Sequence, residues 1–531
     1  MIKNKFFLYA SAFFSGMSVM AIELGASRLL APYFSSSQIV WTVIIGTIMI
    51  AMAIGNVYGG RAADRNPNPA VMYRRLLCVA VWTAMIPFLG KYLIAGIAVG
   101  LALVVKSNFL IWASFAACIV LFVYPLMMLG TVTPSLMKYA TNSLDDNGKT
   151  VGELEALGTI GSIIGTFLPT FVTIPAVGTA MTFLIFAFVL AVLSLLYFIF
   201  EKTEKKKKIR KVTSNAIIAG IIVIMMFLPD KNSFAFWTSN LVYEGESIYN
   251  YLQVQEDEDS VILSTNVMMG VQSIYMKSGG LTGMYYDYAL AAPLMATAEP
   301  ETQKVLILGL GTGTFANQCF TYYPGISVEG VEIDEKIANL AHEYFNLSEL
   351  TEVHVADGRS FLTTAGKYDV IMVDAYQDIT IPFQMSSTEF FTEVKNHLTE
   401  GGVMVVNMNM RSEKEDAIND YLCDTIASVF EKTMTVRVMG GTNTELFAGD
   451  NPEMLGLLEE RLQAMEEDSL RWQMERVVAG LEEKQGGDKI LTDDKAPVEV
   501  LGMKVLDETI AKELAYYKEI LKSGDWEQFF N

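Results

Sequence analysis

Residues 1–230 carry a succession of apolar stretches, each about as long as a bilayer is thick, and nothing else in the chain constrains its fold so strongly. A helix needs about 20 predominantly apolar residues to cross the hydrocarbon core. Such stretches fall near 6–26, 38–58, 76–96, 108–131, 155–175, 179–200 and 214–229. They predict a membrane domain over 1–230 with about seven transmembrane helices. Eight is the alternative, because 97–105 is apolar but short, and Lys91 and Lys106 bracket it as they would an interfacial or re-entrant piece. The first stretch does not read as a cleavable signal peptide, since apolar sequence resumes at once. A tight turn at Pro175–Gly178 parts the fifth stretch from the sixth.

Basic residues set the expected orientation. Lys3 and Lys5, the cluster Arg61–Arg75, Lys138 with Lys149, and the run Lys205–Lys211 alternate as cytoplasmic loops do under seven spans. That count would put everything beyond residue 230 on the outer side. If the short last span, Asn215–Leu228, fails to cross, the remainder stays inside. The side of the cell membrane therefore stays open. Glu23, Arg28, Glu153 and Glu155 are ionisable groups at or near membrane depth, where charge is costly and often functional; snorkelling or interfacial placement is the plainer reading. Gly161-Ser-Ile-Ile-Gly165 is a small-x-x-x-small face suited to close helix packing.

The charge is unevenly spread. Residues 1–230 hold 18 Lys+Arg and 9 Asp+Glu, whereas 231–531 hold 21 and 50, which together give the net −20 of the chain. An acidic back half argues against nucleic acid as a partner, because a phosphate binder needs a basic face. It would suit a polycation, although most of those acids read as solvated surface. The four cysteines, Cys78, Cys118, Cys319 and Cys423, have no C-x-x-C spacing, and the three histidines lie away from any glycine loop. No metal site and no disulfide framework is expected.

Polarity returns at Pro229–Asn232. The alternating runs Ile248–Gln255, Ser260–Ser264 and Val271–Met276 then predict a small antiparallel β-domain within 231–300. Tyr285-Tyr-Asp-Tyr288 follows and leads into an apolar helix; its aromatic faces and carboxylate could hold a cation or simply pack. From Val305 an apolar strand meets Gly309-Leu-Gly311-Thr312-Gly313, a helix-like segment, and a second strand that carries Glu332. Glycines let backbone approach a ligand and the acid accepts ribose hydroxyls, so the unit reads as nucleoside-binding. Strand and helix patterns keep alternating, with Asp357-Gly358 after the third strand and Asp374 after the fourth. The expected fold for 301–531 is a Rossmann-like α/β domain with a mostly parallel sheet and an acidic helical C-terminal region. Glu332, Asp357 and Asp374 then end three consecutive strands and converge on one crevice. Each could instead cap a helix.

Several stretches carry a family resemblance: Val305–Thr314, Val331-Glu-Ile-Asp334, Val355-Ala-Asp-Gly358, Tyr368–Tyr376, Ile381-Pro-Phe, Ser387–Phe391 and Leu491–Glu499. With them the chain from Ser247 onward resembles the spermidine synthase family of polyamine aminopropyltransferases. Gly59–Arg65 and the Glu23…Arg28 segment are similar to the bacterial subgroup in which a multi-span membrane region precedes that domain. The resemblance implies transfer of an aminopropyl group from decarboxylated S-adenosylmethionine, a co-substrate and not a tightly bound cofactor, to putrescine, spermidine or a related amine. It implies Asp374 as the catalytic acid. Gly309, Gly311, Thr312, Gly313, Glu332, Asp357, Gly358 and Asn250 would bind the nucleoside. Tyr285, Asp287, Tyr376 and Asp378 would bind the amine. A homodimer is one candidate assembly, and the lipid bilayer a further partner.

The chain departs from the family at three places. Thr312 stands where the glycine loop normally carries an aspartate, Asn250 where a glutamine enters, and Asp378 one position beyond the usual second acid. Two other functions therefore stand beside the first. One is an S-adenosylmethionine-dependent transferase, such as a methyltransferase, with another acceptor. The other is a transporter or sensor that binds polyamine or nucleoside without chemistry.

Overall fold

The structure is a computed structural model that describes residues 5–140, 147–201, 204–229, 233–267, 270–375, 381–409 and 411–523. The chain divides into two compact units. One comprises Met1–Thr238 with Glu244–Tyr251 and the segment beginning at Leu514; the other comprises Ser239–Tyr243 and Leu252–Glu513.

The first unit is helical. Among its described residues five helical segments are long and apolar enough to cross a membrane: Lys5–Phe34, Gln38–Arg65, Pro69–Ala102, Phe109–Ala140 and Gly148–Phe200. The stretches expected at 155–175 and 179–200 both fall in the last of these, parted where Gly178 leaves helical geometry at φ 82°. The break frees the Thr179 N–H, and Glu246 caps it: one carboxylate oxygen accepts from Thr179 N at 2.6 Å and the other from its hydroxyl at 2.5 Å. An acid at a helix start meets both the orphan donor and the helix dipole. Residues 97–102 continue the third helix and do not form a separate re-entrant piece. The expected seventh stretch, 214–229, overlaps the helix Lys205–Met225, whose basic first turns lower its hydropathy.

Glycines set the closest helix contact in this unit. A Cβ on Gly161 would lie 2.0 Å from the Phe13 carbonyl oxygen, and one on Gly165 would lie 2.1 Å from that of Met17. The helix Asn147–Leu168 therefore runs backbone to backbone along Lys5–Phe34. Of the ionisable groups, Glu153 accepts from the Tyr9 hydroxyl and Arg28 donates to the Ile248 carbonyl.

Two sheets follow the helices along the chain. The smaller has the order β1 (Leu241–Glu246), β2 (Tyr251–Glu256), β3 (Ser260–Ser264), β4 (Ser273–Met276), with β2–β3 and β3–β4 antiparallel. The larger is built from β5 (Lys304–Leu308), β6 (Ser327–Glu332), β7 (Glu352–Val355), β8 (Tyr368–Val373), β9 (Leu398–Met408), β10 (Lys432–Arg437), β11 (Thr444–Gly449) and β12 (Glu482–Glu483). Its order is β12-β10-β11-β9-β8-β5-β6-β7. The five strands β5 to β9 run parallel, and β10, β11 and β12 pair antiparallel at one end. The sheet order reverses between β5 and β8, which opens the crevice where α/β sheets hold ligands.

Continuous apolar runs explain the central strands. Val305–Leu308, Val370–Val373 and Val403–Val406 are buried throughout, as strands covered on both faces must be. The helices between them cap themselves locally. Asp334 accepts from Lys336 N at the start of Glu335–Tyr344, and Ser387 accepts from Phe390 N at the start of Thr388–His397. The expected acidic C-terminal region contains the helices Met454–Ala464, Asp468–Gly480 and Val498–Ser523.

Replacing Gly165 by Leu is expected to lower the thermal unfolding midpoint of the detergent-solubilised protein, with a cost of about 1–3 kcal/mol or more from overpacking. Gly46→Leu, at a helical glycine with nothing within 4 Å of its Cβ position, is the control and should not lower the midpoint.

Candidate active site

The parallel pair β5–β8 brings the glycine loop and Asp374 together. Both strands end at the same edge, and Asp374 N donates to the Leu308 carbonyl at 2.9 Å. The loop then turns away over Asp374 so tightly that a Cβ on Gly309 would lie 2.4 Å from the Asp374 carbonyl oxygen. Gly309 also has φ 93°, a conformation that L side chains avoid. Glycine is required here for space and for conformation together.

Asp374 is held from both sides. Tyr285 donates its hydroxyl to Oδ2 at 2.6 Å, and Asn407, on β9, donates Nδ2 to Oδ1 at 2.8 Å. Asn443 in turn donates to Asn407 Oδ1 at 2.8 Å, which fixes the amide with its NH₂ toward the acid. Burial pushes the Asp374 carboxyl up to about 7, and the two donors restrain the rise. An acid poised near neutrality can accept or hold a proton at little cost.

Glu332, at the end of β6, is buried and reaches back to the loop. It accepts from Gly311 N at 2.9 Å and from Asp334 N at 3.0 Å. Burial raises it to about 7 against the pull of those backbone donors. Thr312 is 1% exposed; its N–H donates to Ser273 Oγ, and its own Oγ1 finds no partner among the described residues. Asp357 sits at the end of β7 and accepts from Ser360 N at 2.8 Å, so it does cap the helix Gly358–Leu362. Gly358 opens that helix.

The tyrosine segment splits into two roles. Tyr285 faces Asp374, whereas Asp287 turns inward. Asp287 is 1% exposed and accepts from Thr282 N, Thr282 Oγ1, Gly283 N and Gln318 Nε2, all within 2.9 Å. Its donors come from the protein itself, which fits a loop-holding role and leaves it little capacity for an amine. Asn250 lies in the turn Ser247–Asn250 of the first unit, where its N–H donates to Ser247 Oγ. Tyr376 and Asp378 lie outside the described residues.

The motif at 491–499 folds back onto this domain through Arg359. Its guanidinium forks onto Asp493 at 2.7 and 2.8 Å and onto Glu393 at 3.1 and 2.9 Å, while Ser387 also donates to Asp493. Three separated stretches of sequence are thereby clamped around one cation. A cavity of about 500 Å³ lies beside the loop, lined by Thr312, Thr314, Gln318, Asn317, His342 and Tyr275 among others. None of Asp374, Glu332 and Asp357 lines it.

Asn407, Asn443 and Glu445 were not among the sequence candidates. Their signal was nonetheless present, because Asn407 and Glu445 interrupt apolar strands. Glu445 is wholly buried on β11 next to Leu446 and Phe447.

Fold and site thus define a Rossmann-like α/β transferase domain of the kind shared by spermidine synthases and methyltransferases. The model of the spermine/spermidine synthase domain matches residues 285–444. A probable polyamine aminopropyl transferase of Bifidobacterium longum is 54% identical over 307 residues, which cover 54% of this chain and 68% of that one. A polyamine aminopropyltransferase of Vibrio vulnificus is 30% identical over 205 residues, 37% of this chain and 67% of the other. An eEF1A lysine and N-terminal methyltransferase of mouse is 29% identical over 183 residues, 31% of this chain and 26% of the other. The chain belongs to the spermidine synthase family of polyamine aminopropyltransferases, and it is an enzyme of that type.

Because Asp374 titrates near 7 in the fold, against an ordinary value of 3.8, its neutral form favours the folded state. That contribution is whole below about pH 4 and is lost as pH rises through about 7. Asp374→Asn is therefore expected to match wild type in thermal midpoint near pH 4 and to exceed it near pH 8. A difference that does not grow with pH would refute the raised ionisation.

Proposed function

We propose that this aminopropyltransferase takes decarboxylated S-adenosylmethionine as donor and a polyamine such as putrescine or spermidine as acceptor. The observation that carries the reading is the Asp374 carboxylate, gripped by Tyr285 and Asn407 beside the Gly309 loop and poised near neutral pH. In this reading Glu332, Gly311 and Gly313 cradle the nucleoside, Asp357 and Gly358 border the base, and Thr312 takes the loop position nearest the donor's tail. Asp374, as the carboxylate, receives the ammonium end of the acceptor, orients it and takes the proton that the attacking nitrogen loses.

The reaction is an in-line displacement. The amine lone pair forms a bond to the carbon next to the sulfonium, the C–S bond breaks, and its electron pair neutralises the sulfur. The leaving group is then methylthioadenosine. Sulfur discards its own positive charge, so alignment of the two substrates supplies much of the acceleration. An acceptor-only carboxylate at the amine suits that task, since it can orient N–H groups without competing as a donor.

A methyl transfer from intact S-adenosylmethionine remains the second reading, and Thr312 favours it. The loop lacks a carboxylate for the aminopropyl ammonium, while the Thr312 hydroxyl is buried beside Ser273 with no partner among the described residues. The helical segments of the first unit support a multi-pass placement in a lipid bilayer, and a homodimer is the assembly we would test first.

Purified full-length protein in detergent separates the readings when offered labelled decarboxylated or intact donor with putrescine. Methylthioadenosine from the decarboxylated donor alone is expected; adenosylhomocysteine from the intact donor would establish the second reading in its place. Asp374→Asn should reduce kcat by at least about 100-fold, the range for loss of a positioned acid or base, and leave nucleoside affinity within a few fold. In wild type, kcat/KM should rise with pH and level off above about 7, since the carboxylate form is the active one.

A further inference from the structure

Away from Asp374 and the glycine loop, three metal-ligating side chains meet at one edge of the large sheet. β7, four residues long, stands at the end of the sheet beside β6. The parallel register sets Glu329 opposite Glu352 and Val331 opposite His354. Side chains two apart on a strand share a face, so Glu329, Glu352 and His354 project from the same side of this pair. One ligand atom from each lies within 4.8 Å of the others.

The spacing within the cluster is that of metal ligands and not of hydrogen bonds. His354 Nε2 lies 3.7 Å from Glu329 Oε2 and 3.5 Å from Glu352 Oε1. Both distances exceed a good N–H···O bond, about 2.9 Å. Nε2 is closed off from solvent and has no hydrogen-bond partner among the described residues. Two atoms held tetrahedrally at about 2.1 Å from one zinc ion stand about 3.4 Å apart, close to both separations. A buried ring nitrogen without a partner is costly, and two carboxylates gathered around it repel each other. A divalent cation removes both costs at once, because it takes the Nε2 lone pair and neutralises the acids.

The surroundings hold two of the ligands in place. Tyr368, from β8, donates its hydroxyl to Glu329 Oε2 at 2.8 Å, the kind of outer contact that orients a ligating carboxylate. The Phe361 ring packs on the His354 imidazole with centroids 4.7 Å apart. Glu352, whose side chain is 68% exposed, can swing aside to admit an ion. One imidazole with two carboxylates suits Zn²⁺ and its transition-metal neighbours, whereas Mg²⁺ and Ca²⁺ prefer oxygen alone.

We propose that Glu329, Glu352 and His354 form a divalent transition-metal site, with Zn²⁺ the fitting occupant, that ties the edge strand β7 to β6. Water completes the coordination shell. Spacing along the chain does not show the site, since its ligands come from two strands joined only by sheet register. The competing arrangement is a protonated His354 paired with both acids, which needs no metal.

Full-length, tag-free protein in detergent is dialysed against a chelator and titrated calorimetrically with ZnCl₂, beside His354→Ala, Glu352→Gln and the control His342→Ala. Wild type and His342→Ala are expected to bind one more equivalent of Zn²⁺ per chain than His354→Ala. Glu352→Gln should bind that equivalent at least about tenfold more weakly, as loss of a coordinating group does. Zn²⁺ should also raise the thermal midpoint of wild type, and the rise should vanish in His354→Ala. Should His354→Ala fail to fold, Glu352→Gln, altered at the surface, carries the test alone. Wild type without the extra equivalent overturns the proposal in favour of the ion pair. So does a Zn²⁺ affinity that Glu352→Gln leaves undiminished, or an equivalent that is lost with His342.

Discussion

The contact between Gly309 and the Asp374 backbone holds the site together. The β5 and β8 strands run parallel and adjacent, so their carboxyl ends deliver a loop and an acid to the same point. Only a residue without a side chain lets the loop pass over the acid's carbonyl at that distance. From this contact follow the position of Gly311, which donates to Glu332, and the place of Asp374 within reach of Tyr285 and Asn407. A loop displaced by even the size of a methyl group would part Gly311 and Glu332 from Asp374.

Around that contact the site is arranged as a graded set of acids. Glu332 is buried but satisfied by two backbone donors, so it can serve as a fixed acceptor. Asp374 is half-buried and satisfied by two side chains, and like Glu332 it is raised to about 7. Glu445 is buried, has no hydrogen-bond partner among the described residues, and is driven by burial toward its neutral form. The donors set Glu445 apart, since Glu332 and Asp374 each receive two and Glu445 receives none among the described residues. Such a gradient costs folding energy, and proteins keep that cost where ligands repay it.

Arg359 plays the corresponding part for the outer wall of the domain. By forking onto both Asp493 and Glu393 it joins the helix after β7, the helix before β9 and the segment near the C-terminus. This explains why the sequence stretches that carry the family resemblance are scattered yet occur together. Asp357-Gly358-Arg359, Ser387-Thr-Glu and Leu491-Thr-Asp493 are parts of one hydrogen-bonded cluster. In the helical unit, Gly161 and Gly165 do similar work by allowing backbones to touch where side chains would keep them apart.

The order of strands and helices was legible in the sequence because local pattern governs it. Apolar runs of five or six residues ended in glycine or an acid, and amphipathic runs lay between them, so β5 to β9 and the acids at their ends could be read in advance. Apolar stretches of bilayer length marked the helical unit for the same reason. What the residues could not reveal alone was which groups face one another across the sheet. The antiparallel return of β10 and β11 sets Asn407 and Glu445 side by side, although 38 positions separate them in the sequence. Asp287, which read as an amine ligand, is turned inward by Thr282, Gly283 and Gln318. Pattern and composition record a residue's own preference for burial or water, but the partner of a buried polar group is chosen by sheet register and loop packing, which exist only once the chain has folded.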